Sequence, residues 1–379
     1  GTIELYDQER GVHITTFRKD TYETDSRNPE IEKASDLVTD LSRRDFTINS
    51  IAYSLETNEL IDPFSGLKDL ASGTISTPDD PIISFSDDPL RMLRVCRFAS
   101  THGFSPDNET YIAMKENIER IKIITKERIR DEINKLLVGK SPSMGIRTLV
   151  ESGLSLYIIP EINELKIEVD PKHHHKDVYE HTLAVLDGVP PKLTLRMGAL
   201  LHDIAKPNTK GIENGKVHFR HHEVVGARMT KKILKGLKYD NKTIEDIALL
   251  VEQHLRPHTF KMGWTDSAVR RYIVDAGHML EDLNELVRAD VTTKNKIKAK
   301  EIYENLDEME KRIEEVKAKE ELSKIRPALS GDEIMEHFNI QPGPKVGVIM
   351  KALYEQRIND GEVSKEDALK LAEETYKKL

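Results

Sequence analysis

Apolar positions recur at two different periods along the chain. Before about residue 75 the apolar runs are short and β-prone. Thr2–Tyr6 and Val12–Phe17 flank Asp7-Gln8-Glu9-Arg10-Gly11, a polar turn that predicts a hairpin. Thr47–Leu55 and Glu59–Ile61 predict a second strand pair, ended at Asp62-Pro63 because proline cannot donate to a ladder. Thr21–Lys33 is polar and broken by proline, and reads as loop.

From about Pro81 the spacing becomes helical. Asp87-Asp88-Pro89 predicts a helix start, with the helix running to about Thr101 and stopping near Gly103. Asn108–Ile121, Lys126–Val138 and Ser141–Glu151 follow as amphipathic helices. No strand is expected after about residue 75, with Gly211–His218 a loop or a short hairpin. Glu164–Lys176, with Pro171 and the run His173-His174-His175, reads as a junction. Helices are predicted at Tyr179–Asp187, Thr194–Ile204, His222–Gly236, Thr243–His254, Ser267–Asp275 and Leu280–Thr292. Lys298–Leu322 reads as a long helix that is polar nearly all round. Gly331–Phe338, Pro344–Asn359 and Lys365–Lys378 close the chain, with Ser364 and Asp367 spaced as a capping-box variant. The fold class predicted is α+β, with the strands gathered at one end.

Composition narrows the classes. A length of 379 residues predicts two to four domains. With 32% charged residues, no run approaches the ~20 apolar residues of a spanning helix, so no membrane partner is expected. One cysteine, Cys96, excludes an internal disulfide framework and fits a reducing, cytoplasmic setting. The net charge of −9 gives no basic field over the whole chain, so a nucleic acid must be held by local basic patches. Two such patches are Lys231, Lys232, Lys235 and Lys238, and Lys294, Lys296, Lys298 and Lys300; phosphate contact and a solvated lysine face are equally open readings of each.

Three short motifs carry candidate chemistry: Arg43-Arg44-Asp45-Phe46-Thr47-Ile48-Asn49, Asp62-Pro63-Phe64-Ser65-Gly66-Leu67-Lys68-Asp69-Leu70, and Asp87-Asp88-Pro89-Leu90-Arg91-Met92-Leu93-Arg94-Val95-Cys96-Arg97-Phe98. On a helix, Asp88 and Arg91 would share one face. A carboxylate accepts and a guanidinium donates, each in a plane. Cytosine and adenine both present an amino donor beside a ring-nitrogen acceptor, which such a pair can meet. Uracil and guanine present a carbonyl and an N–H, and would leave buried groups unpaired. An i,i+3 Asp–Arg pair is in most proteins a surface ion pair of small value. Here Leu90, Met92, Leu93, Val95, Cys96 and Phe98 make the helix apolar nearly all round, so some of its arginines are expected to be half buried and to need partners.

In this order and spacing the three motifs resemble the class II tRNA nucleotidyltransferases, the CCA-adding enzymes. That family carries Arg-Arg-Asp-Phe-Thr-x-Asn, Asp-Pro-Phe-x-Gly-x-x-Asp-Leu, and a helix reading (Glu/Asp)-Asp-x-x-Arg-x-x-Arg-x-x-Arg-Phe. The resemblance implies that Arg44 binds nucleotide phosphate and that Asp45 contacts the ribose. It implies that Asp88 and Arg91 form a protein template selecting CTP and ATP, supported by Arg94 and Arg97. Asp87 stands where glutamate is usual. The segment Thr15-Thr16-Phe17-Arg18, followed by Asp25-Ser26-Arg27, matches the family's flexible-loop region. The implied partners are tRNA, CTP and ATP.

The family's transfer step uses two Mg²⁺ ions on an Asp-x-Asp pair that follows a Gly-Gly-x-x-Arg loop. The 379 residues contain neither Gly-Gly nor Asp-x-Asp, and Glu23-Thr24-Asp25 is the nearest acidic pair. The expectation is therefore a fragment of such an enzyme, with a truncated head and without the catalytic carboxylates, that does not add CCA by itself.

A second set lies on the later helices. His181, the adjacent His202-Asp203, His222, His254 and Asp290 place imidazoles and carboxylates along apolar helices. Any one of them alone is most simply a satisfied core histidine. As an ordered set they suit a divalent ion such as Mn²⁺, Fe²⁺, Ni²⁺ or Mg²⁺ better than a closed structural zinc site. The order His … His-Asp … Asp resembles the HD phosphohydrolase superfamily. The resemblance implies that His181, His202, Asp203 and Asp290 are core ligands, that His222 and His254 are auxiliary, and that Lys206 can meet a phosphate. The strings Leu195–Pro207 and Trp264–Tyr272, with Ile325-Arg326-Pro327 and Gly331–Met335, look most like the actinobacterial-type group of CCA-adding enzymes.

The implied organisation is a partial nucleotidyltransferase head over 1–75, an all-helical neck binding nucleotide and RNA over 76–165, an HD domain over 166–300 and a helical tail over 301–379. The function implied is tRNA 3′-end synthesis with an added phosphohydrolase module. A stand-alone HD phosphohydrolase with a nucleotide- or RNA-binding N-terminal part is the first alternative, and a non-enzymatic tRNA-binding scaffold the second.

Overall fold

A computed structural model of the chain describes residues 2–7, 10–21, 30–167, 177–214, 216–293, 295–319 and 326–379. The expectations for His173-His174-His175, Glu23-Thr24-Asp25, Asp25-Ser26-Arg27 and Lys294 fall outside those residues. The chain divides into two compact units, Gly1–Val251 and Glu252–Leu379.

The first unit begins with the predicted hairpin, Thr2–Asp7 paired antiparallel with Arg10–Thr15 so that Ile3 faces Ile14. Thr21–Lys33 departs from the loop reading. Arg18–Thr21 pairs antiparallel with Glu30–Lys33, held by backbone bonds in a stretch whose polar side chains give no periodic apolar signal. The Thr47–Leu55 strand is shortened to Ala52–Ser54, paired with Glu59–Ile61, and Thr47–Asn49 is a 3₁₀ turn. Ser50 explains the turn: its hydroxyl donates to the carbonyls of Leu41 and Phe46, both at 3.0 Å, which folds the chain back before the strand starts. Among the described residues every sheet has two strands.

The expectation of no strand beyond residue 75, and of an all-helical neck, is also corrected. Ser105–Pro106 pairs parallel with Thr74–Ile75, a bridge too short to show a period in sequence. Lys210–Glu213 and Lys216–Phe219 form the short hairpin. The helices otherwise lie where their apolar spacing puts them. Leu90–His102 is followed by Asn108–Glu116, Lys126–Leu137 and Pro142–Glu151, then by Val178–Gly188, Leu193–Leu201, His222–Gly236 and Asn241–Gln253.

Leu90–His102 is the spine of the neck. Met92, Leu93, Val95, Cys96 and Ala99 are buried along it. Pro142–Glu151 lies close against it because Gly145 has no side chain. A Cβ there would come within 2.8 Å of the Cys96 carbonyl.

In the second unit, Asp266–Ala276, Leu280–Asp290 and Lys296–Lys319 precede a terminal cluster of Gly331–Phe338, Pro344–Asp360 and Lys365–Tyr376 around Leu329, Ile334, Ile349 and Leu353. Lys296–Lys319 is not polar all round. Leu306, Met309, Ile313 and Val316 form a buried stripe at three- and four-residue steps, which dense charge masks in the sequence. Ser364 caps its helix through the Asp367 N–H but donates its hydroxyl to the Asp367 carboxylate, so the reciprocal bond of a capping box is made instead by Ser330 and Glu333. No helix among the described residues is long and apolar enough to cross a membrane.

Candidate functional site

The three early motifs meet through specific contacts. Asp62 accepts the backbone N–H groups of Gly66 and Leu67 at 2.7 and 2.9 Å and so starts the helix Gly66–Ser72. Gly66 lies against Thr47, where a Cβ would stand 2.2 Å from the Thr47 carbonyl oxygen. Thr47 in turn donates its hydroxyl to Asp69 at 2.6 Å. The second motif is therefore a brace for the first. The third motif is joined to the first by Phe46, fully buried and edge-on to Phe98 with ring centroids 5.4 Å apart.

These contacts set six predicted side chains around one cavity of about 640 Å³. Arg44, Asp45, Asp88, Arg91, Arg94 and Arg97 all line it, together with Arg18, Arg43, Asn49 and Phe98. Six arginines against two aspartates make the walls strongly cationic, which suits a phosphate-bearing ligand.

Each charged group has its own support. Arg44, partly exposed, donates to the Asn49 carbonyl at 3.1 Å and pairs with Asp40 at 3.5 Å. Asp45, 7% exposed, accepts from the Asn49 amide at 3.0 Å and pairs with Arg94 at 2.5 Å. Arg97 pairs with the buried Glu132 at 3.3 Å; burial lowers the Arg97 pKa and the Glu132 charge pulls it back up. Asp40, Glu132, Arg128 and Ser84 were not singled out from sequence, and Arg43 entered only as the first residue of its motif. Two signals were available. Asp40 stands three and four residues before Arg43 and Arg44, and Arg128 and Glu132 are one turn apart on an amphipathic helix.

Asp40 anchors the first motif. It accepts the Arg18 N–H at 3.1 Å and holds the Arg43 guanidinium at 2.8 Å. Burial raises its pKa, but these donors and the two guanidinium charges outweigh burial and hold it below the usual carboxylate value. Asp87, in the position usually glutamate, is shifted up by burial against the opposing charges of Arg91 and Arg120.

Asp88 and Arg91 do not share a helical face as their spacing predicts. Asp88 precedes Pro89, which disfavours helical backbone, and it adopts φ −131° and ψ 95° between Pro81–Asp87 and Leu90–His102. Arg91 begins the second helix and is 9% exposed. Among the described residues no side-chain bond joins the pair, yet both reach the same cavity.

A second cluster lies later in the first unit. His202 caps the end of Leu193–Leu201, and His202 and Asp203 are each 1% exposed. His181 Nε2 is 3.2 Å from His202 Nε2 and 3.4 Å from Asp203 Oδ2. His202 Nε2 is 3.2 Å from Asp203 Oδ2, and His222 Nε2 is 3.2 Å from Asp203 Oδ1. The other ring nitrogens of His202 and His222 face the carbonyls of Ala199 and Phe219 at 2.8 and 2.7 Å. Those carbonyls require an N–H at Nδ1, so each neutral ring turns a lone pair from Nε2 towards the carboxylate. Acceptors facing acceptors in a buried site need a positive charge between them. A divalent ion meets this requirement, and the imidazole–carboxylate donor set fits one. Lys206 adds an ammonium 2.6 Å from Asp203 Oδ2.

The remaining two predicted ligands belong to the second unit. His254 is 1% exposed, and Asp290 pairs with His258 at 3.3 Å. Of the lysine patches, Lys231 pairs with Glu245 at 2.5 Å.

Known proteins resemble the chain over most of its length. Residues 1–76 match the family model described as the poly A polymerase head domain, 103–166 the probable RNA and SrmB-binding site of polymerase A, and 173–292 the HD domain. An A-adding tRNA nucleotidyltransferase of Deinococcus radiodurans is 31% identical over 365 residues, covering 93% of this chain and 81% of its own length. A CC-adding tRNA nucleotidyltransferase of Thermus thermophilus is 29% identical over 344 residues, covering 88% and 76%. The fold is that of the Bacillus stearothermophilus CCA-adding enzyme solved in complex with CTP, at TM-score 0.66 and 22% identity over 100% of this chain and 82% of that one. With its head, RNA-binding and HD parts in this order, the chain belongs to the family of tRNA nucleotidyltransferases that includes the CCA-adding enzymes.

Proposed function

We propose that this chain selects CTP and ATP through Asp88 and Arg91 and presents them for addition to the 3′ end of tRNA. The observation that carries the reading is the convergence of Arg44, Asp45, Asp88, Arg91, Arg94 and Arg97 on one cationic cavity. Arg44 faces the nucleotide phosphates, while Asp45, steadied by Arg94, meets the ribose. Asp88 accepts the exocyclic amino group of cytosine or adenine, and Arg91 donates to the neighbouring ring nitrogen. Uracil and guanine offer the reverse pattern, so binding them strands a buried donor and acceptor.

The cavity is not a site for the two Mg²⁺ ions of nucleotidyl transfer. Its two aspartates are each ion-paired to arginine, and the surrounding charge is positive.

The histidine–aspartate cluster is proposed to hold one divalent ion through His181, His202, Asp203 and His222. His254 and Asp290, the other two residues of the family's pattern, lie in the second unit. An ion bound in the cluster would acidify a water and polarise a phosphoester oxygen. Lys206 is placed to meet a phosphate oxygen. The organisation proposed is a head over 1–75, a neck over 76–165, an HD domain over 166–300 and a tail over 301–379. The matched stretches, which end at 76, 166 and 292, support it.

Equilibrium binding of the four nucleoside triphosphates to the chain tests the main reading. CTP and ATP are expected to bind more tightly than UTP and GTP, and Arg91→Ala is expected to abolish the preference. Equal affinity for all four in the unaltered chain would contradict it.

A further inference from the structure

The two halves of the base-reading pair are each held from outside. Asp88 Oδ1 accepts the Leu90 backbone N–H at 3.2 Å, and Oδ2 lies 3.2 Å from Arg128 Nη2 on Lys126–Leu137. Arg91 donates from Nη1 to the Ser84 hydroxyl and from Nη2 to the Arg43 carbonyl, both at 2.6 Å. A carboxylate has about four lone-pair positions and a guanidinium five N–H donors, so both groups keep capacity for a ligand after these bonds are made.

Without its supports the pair has no fixed geometry. Asp88 sits in extended backbone on a short side chain that rotates freely about two bonds. The Leu90 N–H fixes one oxygen, and only a second contact sets the plane of the carboxylate. Arg91 enters from the first turn of its helix and is directed by Ser84, 5% exposed, in the preceding one. We propose that Arg128 and Ser84 are specificity-determining positioning residues: Arg128 sets the plane of the Asp88 carboxylate, Ser84 sets the direction of the Arg91 guanidinium, and together they fix which base edge fits. This rests on the base-reading role proposed above.

The ion pair is poorly placed to serve stability. The Arg128 and Asp88 side chains are 38% and 21% exposed, and exposed pairs of this kind contribute little to folding. Loss of Arg128 is therefore expected to move base preference rather than melting temperature. The same helix carries Glu132, the partner of Arg97, one turn further on, so Lys126–Leu137 holds both Asp88 and Arg97 of the cavity.

The test is competition binding of CTP against UTP, and ATP against GTP, to the whole chain. It uses Arg128→Ala, Arg128→Lys and Ser84→Ala, with Asp88→Ala as reference and melting temperature measured throughout. The CTP-over-UTP ratio is expected to fall by about tenfold in Arg128→Ala and in Ser84→Ala. Arg128→Lys, which keeps a cation near Oδ2, is expected to retain most of it. The melting temperature of Arg128→Ala is expected to stay at the unaltered value. A ratio unchanged in either alanine variant, while Asp88→Ala loses it, overturns the role of that residue and leaves base reading standing. A ratio unchanged in Asp88→Ala as well overturns base reading itself, and this inference with it. Should Arg128→Ala not fold, Arg128→Gln is read by the same criterion.

Discussion

Arg94 Nη2 stands 2.5 Å from Asp45 Oδ2, and this contact ties the helix Leu90–His102 to the segment that carries Arg44. Asp45 is buried, and its other oxygen takes the Asn49 amide. The pair explains how two motifs about fifty residues apart in sequence share one cavity. Removing Arg94 leaves a buried carboxylate without its cation, which costs roughly 3 kcal/mol. Arg94→Met is therefore expected to lower both stability and CTP affinity. Urea unfolding and nucleotide titration of the same sample check this, and a variant that loses affinity at full stability would place Arg94 on the ligand instead.

Glu132 and Arg97 test the opposite face. Their side chains are 7% and 16% exposed, so Glu132→Gln removes the charge that faces a largely buried guanidinium. A loss of about 3 kcal/mol in chemical denaturation is expected. Relaxed base preference in this variant would show that Arg97 also steers Asp88 and Arg91.

Gly66→Ala addresses the brace between the first two motifs. The added methyl group has no room against the Thr47 carbonyl, and relief requires moving the Arg44–Asp45 segment. A destabilisation of about 2 kcal/mol is expected, together with weaker CTP binding. Normal binding at reduced stability would show that the segment moves without disturbing the cavity.

Acid sensitivity follows from Asp40. Its folded pKa lies below the usual carboxylate value, so its stabilisation is complete above pH 3.8 and is lost as pH falls through the folded value. Asp40→Asn is expected to flatten the stability of the first unit below about pH 4 and to loosen Arg43 and Arg44 at neutral pH. Parallel stability curves for the variant and the unaltered chain down to pH 2 would remove Asp40 from this role.

Metal binding separates the two constellations. His202→Ala and Asp203→Ala are expected to abolish Mn²⁺ binding measured by calorimetry or electron paramagnetic resonance, while CTP binding is retained. Retained Mn²⁺ binding in both variants would show that the ion sits elsewhere.

Much of this was legible in the sequence, for identifiable reasons. Apolar periodicity located the long helices to within a few residues, since Leu, Ile and Met at helical spacing have few alternatives. The first and third motifs gave most of the cavity lining, and His202-Asp203 marked the later cluster. Contacts that depend on position in space were not legible. Pro89 takes Asp88 out of the helix, which spacing alone does not convey. Arg128 reaches Asp88 from forty residues away, and Ser84 reaches Arg91 from a separate helix. The stripe of Leu306, Met309, Ile313 and Val316 was hidden by the charges between its members. Two-residue strands such as Ser105–Pro106 carry no period at all.

The most direct measurement is a crystal structure of the chain with CTP bound. The expected result is the cytosine amino group on the Asp88 carboxylate and its ring nitrogen on the Arg91 guanidinium, with the triphosphate among the cavity arginines. A cytosine edge turned to solvent or to other side chains would contradict it.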